Sequence, residues 1–420
     1  PTREDIVNVL QRLAEDADSV VIATDYDREG ELIGKEALDL VREVNEDAPA
    51  KRVRFSSITD TAVQEAFANP ETLDEDLAAA GEARQVIDLV WGAALTRFLS
   101  LNARQMGDDF ISVGRVQTPT LKLVVDKERE IEAFEPDDYW EIFADLAKDE
   151  DSFEAQHFHL DDGNEAERIW EEEAAIAADE ALRDATTATV TEVSGYTRTD
   201  DPPIPFKTTD FISAASSLGF SANRAMSIAE DLYTAGHITY PRTDNTVYPE
   251  DLDPQELLGA FADTSAFGED ARSLQELDRE PTRGDAETTD HPPIHPTEDI
   301  PEEPDLSEDE WTVYELVVRR FLATLAEPAV WEHLRVVAAA NDESLKANGK
   351  RLVDPGYLDV YPYLSTDENY VPKVEEGEEL ALSEVRLEAK QTQPPRRYGQ
   401  SRLIETMESM GIGTKATRHN

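Results

Sequence analysis

The feature that most constrains this chain is a short apolar run that ends in three alternating carboxylates. Residues 19–30 are Ser-Val-Val-Ile-Ala-Thr-Asp-Tyr-Asp-Arg-Glu-Gly, so Asp25, Asp27 and Glu29 follow the run directly. The run predicts a buried strand, and the helical pattern after it predicts a βα unit with the acids at its turn. Mg²⁺ takes one or two protein carboxylates together with waters and phosphate oxygens. The pattern therefore predicts a Mg²⁺ site suited to phosphodiester chemistry, and a mere acidic helix cap is the alternative.

The composition predicts several domains with packed cores. The chain has 420 residues, 40% of them hydrophobic, and it has no cysteine, which excludes disulfides and thiolate zinc sites. No stretch approaches the roughly 18 uninterrupted apolar residues of a membrane span, and no signal peptide opens the sequence. We therefore expect a soluble protein of the cytoplasm without a membrane partner.

The net charge of −53 arises from 92 acidic and 39 basic residues, and only 11 of the basic residues are lysine. The acidic excess is spread along the whole chain, which is typical of a halophile whose proteins use high charge to stay soluble. At ~1 M salt the Debye length is only ~3 Å, so distant surface acids would barely repel a polyanion. The acidic surface therefore does not exclude a nucleic-acid partner.

Periodicity outlines the order of the elements. Apolar spacing predicts helices over 4–16, 30–43, 58–67 and 78–100, and a further helix with Thr118 as N-cap and Pro119 at its first position. Alternation predicts strands over 19–24, 52–55, 139–146, 188–197, 334–339 and 380–389. The last four lie on either side of a helical block, which follows a proline-rich linker at 200–205 and runs from Thr208 to about Leu325. An acidic insert at 263–290 is expected to be a mobile loop.

A second chemical motif lies in that helical block. Residues 236–245 are Gly-His-Ile-Thr-Tyr-Pro-Arg-Thr-Asp-Asn, in which Pro241 prevents Tyr240 from continuing a helix. The guanidinium of Arg242 suits a phosphate. A phenol of pKa about 10 becomes a nucleophile only when a nearby cation stabilises the charge that develops. The alternative is an ordinary packed tyrosine.

Weaker signals flank these two motifs. Gly114-Arg-Val-Gln-Thr-Pro offers Arg115, Gln117 and a helix start as a phosphate seat, or only a helix cap. Residues 206–236 form two helices around a glycine, like a helix-turn-helix, although plain core helices are the alternative. His291 and His295 could bind a metal, but the intervening prolines favour a loop. Other cations that could contact phosphate are Arg319, Arg396, Arg397 and Lys415.

Together the acidic run, the Gly-Arg-Val-Gln-Thr-Pro-Thr-Leu segment at 114–121 and the Tyr-Pro-Arg motif resemble type IA DNA topoisomerases over nearly the whole chain. The order Asp-x-Asp-x-Glu-Gly resembles a topoisomerase-primase (Toprim) domain. The resemblance implies that Tyr240 is the nucleophile, that Arg242 clamps the scissile phosphate and that Asp25, Asp27 and Glu29 hold Mg²⁺. It also implies a set of DNA-binding residues: Arg28, Arg115, Gln117, Asp244, His291, Arg319, Arg396, Arg397 and Lys415.

The implied fold is a toroidal, multidomain α/β, α and β arrangement. Its predicted parts are a partial Toprim domain (1–78), a helical groove domain (79–135), a β-rich arch (136–205 and 334–393), an inserted helix-turn-helix-like tyrosine domain (206–333) and a return segment of the groove domain (394–420). The chain is expected to be a fragment truncated at both ends, so the Glu that the family carries on an earlier Toprim strand would precede Pro1.

The implied activity is ATP-independent relaxation of underwound DNA, with single-stranded DNA as substrate, a 5′-phosphotyrosine intermediate, a monomeric enzyme and a location at the nucleoid. The alternatives are a decatenating topoisomerase III, a reverse gyrase, a Toprim nuclease or primase, and a non-catalytic clamp on single-stranded DNA.

Overall fold

A computed structural model describes residues 3–105, 107–250, 252–288, 291–415 and 417–418. The chain divides into two compact units. The first combines Pro1–Val125, Pro203–Leu325 and Tyr398–Asn420, and the second combines Asp126–Pro202 and Ala326–Arg397. Each unit is thus assembled from segments that are distant in sequence.

The described helices are α1 (Glu4–Ala14), α2 (Arg28–Arg42), α3 (Asp60–Ala68), α4 (Glu75–Ala103), α5 (Gln117–Glu132), α6 (Glu172–Arg183), α7 (Thr208–Ser217), α8 (Ala222–Thr234), α9 (Pro254–Phe261), α10 (Gly268–Leu277), α11 (Glu308–Thr324), α12 (Tyr357–Val360) and α13 (Gln400–Ser409). The described strands are β1 (Val20–Ile22), β2 (Ala50–Arg52), β3 (Asp138–Lys148), β4 (Asp151–Asp161), β5 (Asn164–Ala166), β6 (Thr187–Asp200), β7 (Ala329–Ala340), β8 (Glu343–Asp354) and β9 (Glu379–Gln391).

The predicted βα unit opens the first unit. Strands β1 and β2 pair in parallel, and α2 follows β1 after a tight turn. Asp27 is the N-cap of α2, because its carboxylate accepts a hydrogen bond of 2.8 Å from the Gly30 amide. A Cβ at Gly30 would lie 2.0 Å from the Asp25 carbonyl oxygen. Only glycine therefore permits the turn that presents the acidic run.

A fully buried ion pair lies beneath this turn. Arg52 on β2 contacts Glu31 on α2 at 2.7 Å, and neither side chain is exposed. Arg52 also donates to the Asp25 carbonyl oxygen at 2.9 Å, while Glu31 accepts from the Asp74 amide at 3.1 Å. The pair therefore connects β2, α2 and the start of α4 to the backbone that carries Asp25.

We expect Arg52→Met to destabilise this region by about 3–5 kcal/mol, because it leaves the Glu31 charge buried without a partner. Hydrogen exchange of the β1 and β2 amides would measure the loss. The matched control is Arg3→Met, which breaks an exposed pair with Asp5 and should leave the opening free energy nearly unchanged. Equal protection in the two variants would contradict the role given to Arg52.

The helical block contains the predicted helix pair. Helices α7 and α8 are joined through Gly219, whose φ is +95°, in the region that favours glycine. The prediction of a mobile loop at 263–290 was wrong, since α10 occupies part of that range. Phe267, Ala271 and Leu274 are buried at helical spacing among the acids. The burial of these three apolar side chains thus stabilises a helix in a strongly polar segment.

The second unit is a closed antiparallel barrel. Its strands pair in the order β3-β9-β6-β7-β8-β4, the pairing of β3 with β4 closes the ring, and β5 extends from β4. Helix α6 packs against the apolar interior of the barrel. The buried side chains of this core include Ile142, Leu146, Leu182, Val190, Val336, Leu345 and Leu380. Strands β4 and β8 were not predicted from sequence, because charged side chains on their outer positions weaken the alternation. Pairing with their neighbours defines them instead.

Helices α4 and α5 differ from expectation in detail. Helix α5 begins at Gln117, and the Thr118 amide already bonds to the Gly114 carbonyl, so Thr118 is not the N-cap.

Among the described residues, α4 alone has the length and apolar content of a membrane span, which is weak evidence of one. Arg84 and Asp88 on this helix make ion pairs. Much of its apolar surface is exposed, including Val90 and Trp91.

Candidate active site

Tyr240 is held in a packed position after α8. Its side chain is only 7% exposed, and its ring contacts the rings of His291 and Tyr233 at centroid distances of 4.4 and 5.1 Å. The Tyr240 amide donates to the Ser56 carbonyl at 2.9 Å. The Thr243 hydroxyl donates to the His291 carbonyl at 3.2 Å, which ties the histidine segment to the tyrosine segment. The phenol is thus fixed by neighbours from three stretches of the chain.

The same packing brings the tyrosine to the acidic turn. Partial burial raises the pKa of Asp25, the charge of Asp27 raises it further, and a hydrogen bond with the Tyr240 hydroxyl opposes the rise. Asp25 nevertheless keeps a solvent-exposed edge. Burial also raises the pKa of Tyr240, as do the charges of Asp25 and Asp27, while the charge of Arg242 opposes them. The phenol is therefore protonated at neutral pH and has a carboxylate that can accept its proton.

Arg242 lies beside the phenol but is engaged by a carboxylate. Its Nε donates to Glu230 at 3.0 Å, a second nitrogen contacts the same oxygen, and the side chain is 27% exposed. An incoming phosphate could compete for this exposed guanidinium. Arg242 therefore lies next to Tyr240 and is paired with Glu230, and its role as a phosphate clamp stays a prediction.

A cavity of about 260 Å³ adjoins the acidic turn. Sequence analysis did not suggest two of its lining residues, Arg84 and Arg418. Five others were proposed from sequence: Asp27, Arg28, Glu29, Asp244 and Lys415. Arg84 comes from α4 and Arg418 from the segment after α13, so only tertiary structure places them here. The cavity therefore concentrates four cations in a strongly acidic chain.

The three acids of the run do not form the predicted three-carboxylate site. Glu29 pairs with Arg84 at 2.5 Å, and Asp27 is occupied in part by capping α2. The described stretches of the chain contain no group of three or more His, Asp or Glu side chains arranged to hold a metal ion. Asp25 and Asp27 still repel each other, which a cation between them would relieve. Two carboxylates suit Mg²⁺, which fills its remaining positions with water and phosphate.

Two of the predicted DNA-binding residues, Arg115 and Gln117, lie just before and at the start of α5. Arg115 makes a two-point contact with Asp88, at 2.7 and 3.1 Å. The Gln117 side chain accepts from Ser112 at 3.4 Å. Arg115 and Asp88 also line an apolar cavity of about 490 Å³ with the exposed Trp91. This arrangement keeps Arg115 at the surface, where a phosphate could reach it.

Other predicted residues have different surroundings. Arg319 is held by ion pairs with Glu315 and Asp270, at 2.7 and 3.3 Å. These pairs give it a structural role, and its contact with DNA stays a prediction. His295 is buried, which lowers its pKa to about 4, and its Nδ1 bonds to the Pro296 carbonyl. His295 is therefore neutral at pH 7, and among the described residues it belongs to no group of three or more side chains that could hold a metal ion. Arg396 and Arg397 belong to the second unit, where Arg397 pairs with Glu128 at 2.6 Å.

Comparisons with known proteins agree with these motifs. The family model of DNA topoisomerases matches residues 72–420, and that of the Toprim domain matches residues 1–58. DNA topoisomerase 1 of Archaeoglobus fulgidus is 46% identical over 416 residues, which cover 99% of this chain and 60% of the relative. DNA topoisomerase 3-alpha of Homo sapiens is 34% identical, over 98% of this chain and 41% of the relative.

The structure of full-length topoisomerase I from Thermotoga maritima is similar with a TM-score of 0.79 at 29% identity, over 100% of this chain and 67% of that one. The predicted fold class is thereby confirmed. The chain spans about half to three fifths of the length of the archaeal relatives from Archaeoglobus fulgidus and Thermoplasma acidophilum. By its family models, its relatives and its fold, this chain belongs to the type IA DNA topoisomerase family.

Proposed function

We propose that this protein relaxes underwound DNA by cutting one strand through a transient phosphotyrosine at Tyr240, without ATP. The observation that carries the proposal is the contact between the buried Tyr240 phenol and the Asp25 carboxylate, with Arg242 beside them. A tyrosine packed only for stability would need neither a proton acceptor nor a neighbouring guanidinium. This combination instead suits nucleophilic attack on a phosphodiester.

In the proposed cleavage step, the Tyr240 oxygen bonds to phosphorus and its proton passes to Asp25. The bond from phosphorus to the 3′ oxygen breaks, and that oxygen takes a proton from solvent water and leaves as a 3′-hydroxyl. The products are a 5′-phosphotyrosine and a free 3′ end. The hydroxyl later attacks the same phosphorus and releases Tyr240, so the bond energy is conserved and no ATP is consumed.

The neighbouring cations have distinct tasks in this scheme. Arg242 exchanges Glu230 for the scissile phosphate and stabilises the charge that develops on its oxygens. The cations of the 260 Å³ cavity hold the adjoining phosphates: Arg28, Arg84, Lys415 and Arg418. Arg115, which lies just before α5, holds another part of the strand. These contacts orient one strand against Tyr240.

Asp25 and Asp27 would hold Mg²⁺, and Glu29 would support the site through Arg84. A bound ion would offset the paired negative charges of Asp25 and Asp27, and it would promote attack of the 3′-hydroxyl on phosphorus in the rejoining step. We further propose a single-stranded segment of DNA as substrate, a monomeric enzyme and a location at the nucleoid in the cytoplasm.

A covalent adduct tests the proposal directly. The chain is incubated with a single-stranded oligonucleotide labelled at one end and then denatured in SDS. Attack at phosphorus with loss of the 3′ oxygen leaves the downstream fragment on the protein, so only a 3′ label should migrate with the chain. Retention of a 5′ label would contradict the polarity, and no adduct with either label would leave a non-catalytic DNA clamp.

A further inference from the structure

The outer side of the barrel in the second unit carries an aromatic row. The register places Tyr196 on β6 opposite His333 on β7, and His333 opposite Lys350 on β8. Residues directly opposite each other across antiparallel strands share a face of the sheet. The neighbouring row places Leu334 between Gly195 and Gly349, and Leu334 packs against the barrel core. Trp331 lies two residues before His333 on β7. We call the set of Tyr196, Trp331, His333 and Lys350 the stacking face.

Tyr196 and His333 form the accessible ring pair of the stacking face. Tyr196 and His333 are stacked, with centroids 4.8 Å apart and an angle of 8° between their planes. Tyr196 is 63% exposed, so most of the side chain that is not covered by His333 faces solvent. The Lys350 ammonium lies 3.7 Å from the ring centroid of the buried Trp331. A flat ring pair and a positioned cation therefore share one surface.

Charge on this surface departs from the acidic average of the chain. The same face carries Arg198, Arg335 and Lys346, each paired with a nearby carboxylate. Across the residues that the structure describes, Lys350 makes its contact with Trp331 and has no carboxylate within ion-pair distance. Its ammonium is therefore available to an anionic group in a chain whose net charge is −53.

We infer that the stacking face binds single-stranded DNA, with a base stacked on Tyr196 and a phosphate near Lys350. Exposed aromatic rings next to a cation suit unpaired bases, because every base offers a ring face regardless of sequence. In duplex DNA those ring faces are already covered by neighbouring bases, so a duplex would offer only phosphates to Lys350. The inference rests on the proposed function, since it adds a second contact for the same class of substrate.

Photocrosslinking locates the contact. The full chain is irradiated with a single-stranded oligonucleotide that contains 5-iodo-deoxyuridine, and the crosslinked peptides are identified by mass spectrometry. We expect crosslinks at Tyr196 or His333 in addition to those in the first unit. Crosslinks confined to the first unit would overturn the stacking face and leave the proposed function intact. A lack of crosslinks throughout the chain would contradict both.

Three variants separate stacking from general damage. Tyr196→Ala should lower the crosslink yield on the stacking face about tenfold, as expected for the loss of one base–aromatic stack, and Tyr196→Phe should preserve it. The matched control is Trp170→Ala, which removes an aromatic ring of the same unit that is 50% exposed and lies 5.7 Å from the Tyr139 ring. Equal losses in Tyr196→Ala and Trp170→Ala would overturn the inference.

Discussion

Tyr240→Phe is expected to abolish the covalent DNA adduct completely while single-stranded DNA binding persists. The substitution removes only the hydroxyl that would attack phosphorus. The ring contacts with His291 and Tyr233, at 4.4 and 5.1 Å, remain available to phenylalanine. The measurement is the SDS-resistant adduct with a 3′-labelled oligonucleotide, alongside the affinity for the same oligonucleotide. An adduct of normal yield in Tyr240→Phe would remove Tyr240 from the reaction.

Tyr233→Phe is the matched control for this result. Tyr233 is also buried, burial raises its pKa, and its hydroxyl interacts with the same Asp25 carboxylate. The two tyrosines thus share one acceptor and one environment, and they differ in the Pro-Arg sequence that follows Tyr240. We expect Tyr233→Phe to keep the adduct. Loss of the adduct in Tyr233→Phe alone would transfer the nucleophile to Tyr233.

The sequence predicts both motifs of the candidate site because the functional groups of each motif are close together along the chain. Asp25 and Asp27 follow a strand and Arg242 follows Tyr240 by two residues, so each motif carries its own functional groups. The contact between the two motifs, more than 200 residues apart, was implied by the family resemblance. The structure adds the physical coupling, in which Asp25 and Tyr240 change each other's pKa.

Residues that act through tertiary contacts could not be found in this way. Arg84 lies in an apolar helix and Arg418 near the end of the described chain, and neither has a local pattern that points to a phosphate. Glu29 has the spacing of a metal ligand, yet its ion pair with Arg84 gives it a supporting position. Spacing along the chain places Asp25, Asp27 and Glu29 at one turn. Tertiary packing then decides which of these carboxylates remain available to bind a ligand.

The division of labour between Asp25 and Asp27 leads to the second large effect. Asp25→Asn removes the acceptor for the Tyr240 proton, and the loss of a general base typically costs about 10²- to 10⁴-fold in rate. The same substitution also removes a negative charge that raises the pKa of Tyr240, which would ease ionisation of the phenol. Because burial is the largest cause of that raised pKa, we expect the lost acceptor to dominate and adduct formation to slow by about 10²-fold or more.

Asp27→Asn should affect the other half of the reaction. Asparagine is an effective N-cap, so α2 should keep its start at the Gly30 amide, and Asp25 keeps its contact with Tyr240. One of the two proposed Mg²⁺ ligands is lost, so rejoining should require more Mg²⁺ and the adduct should accumulate. The measurement is a Mg²⁺ titration of adduct formation and of its reversal in high salt, for both variants. If Asp25→Asn and Asp27→Asn slowed cleavage equally and left the Mg²⁺ dependence of rejoining unchanged, Asp25 would not be a distinct proton acceptor and the pair would not be the metal site.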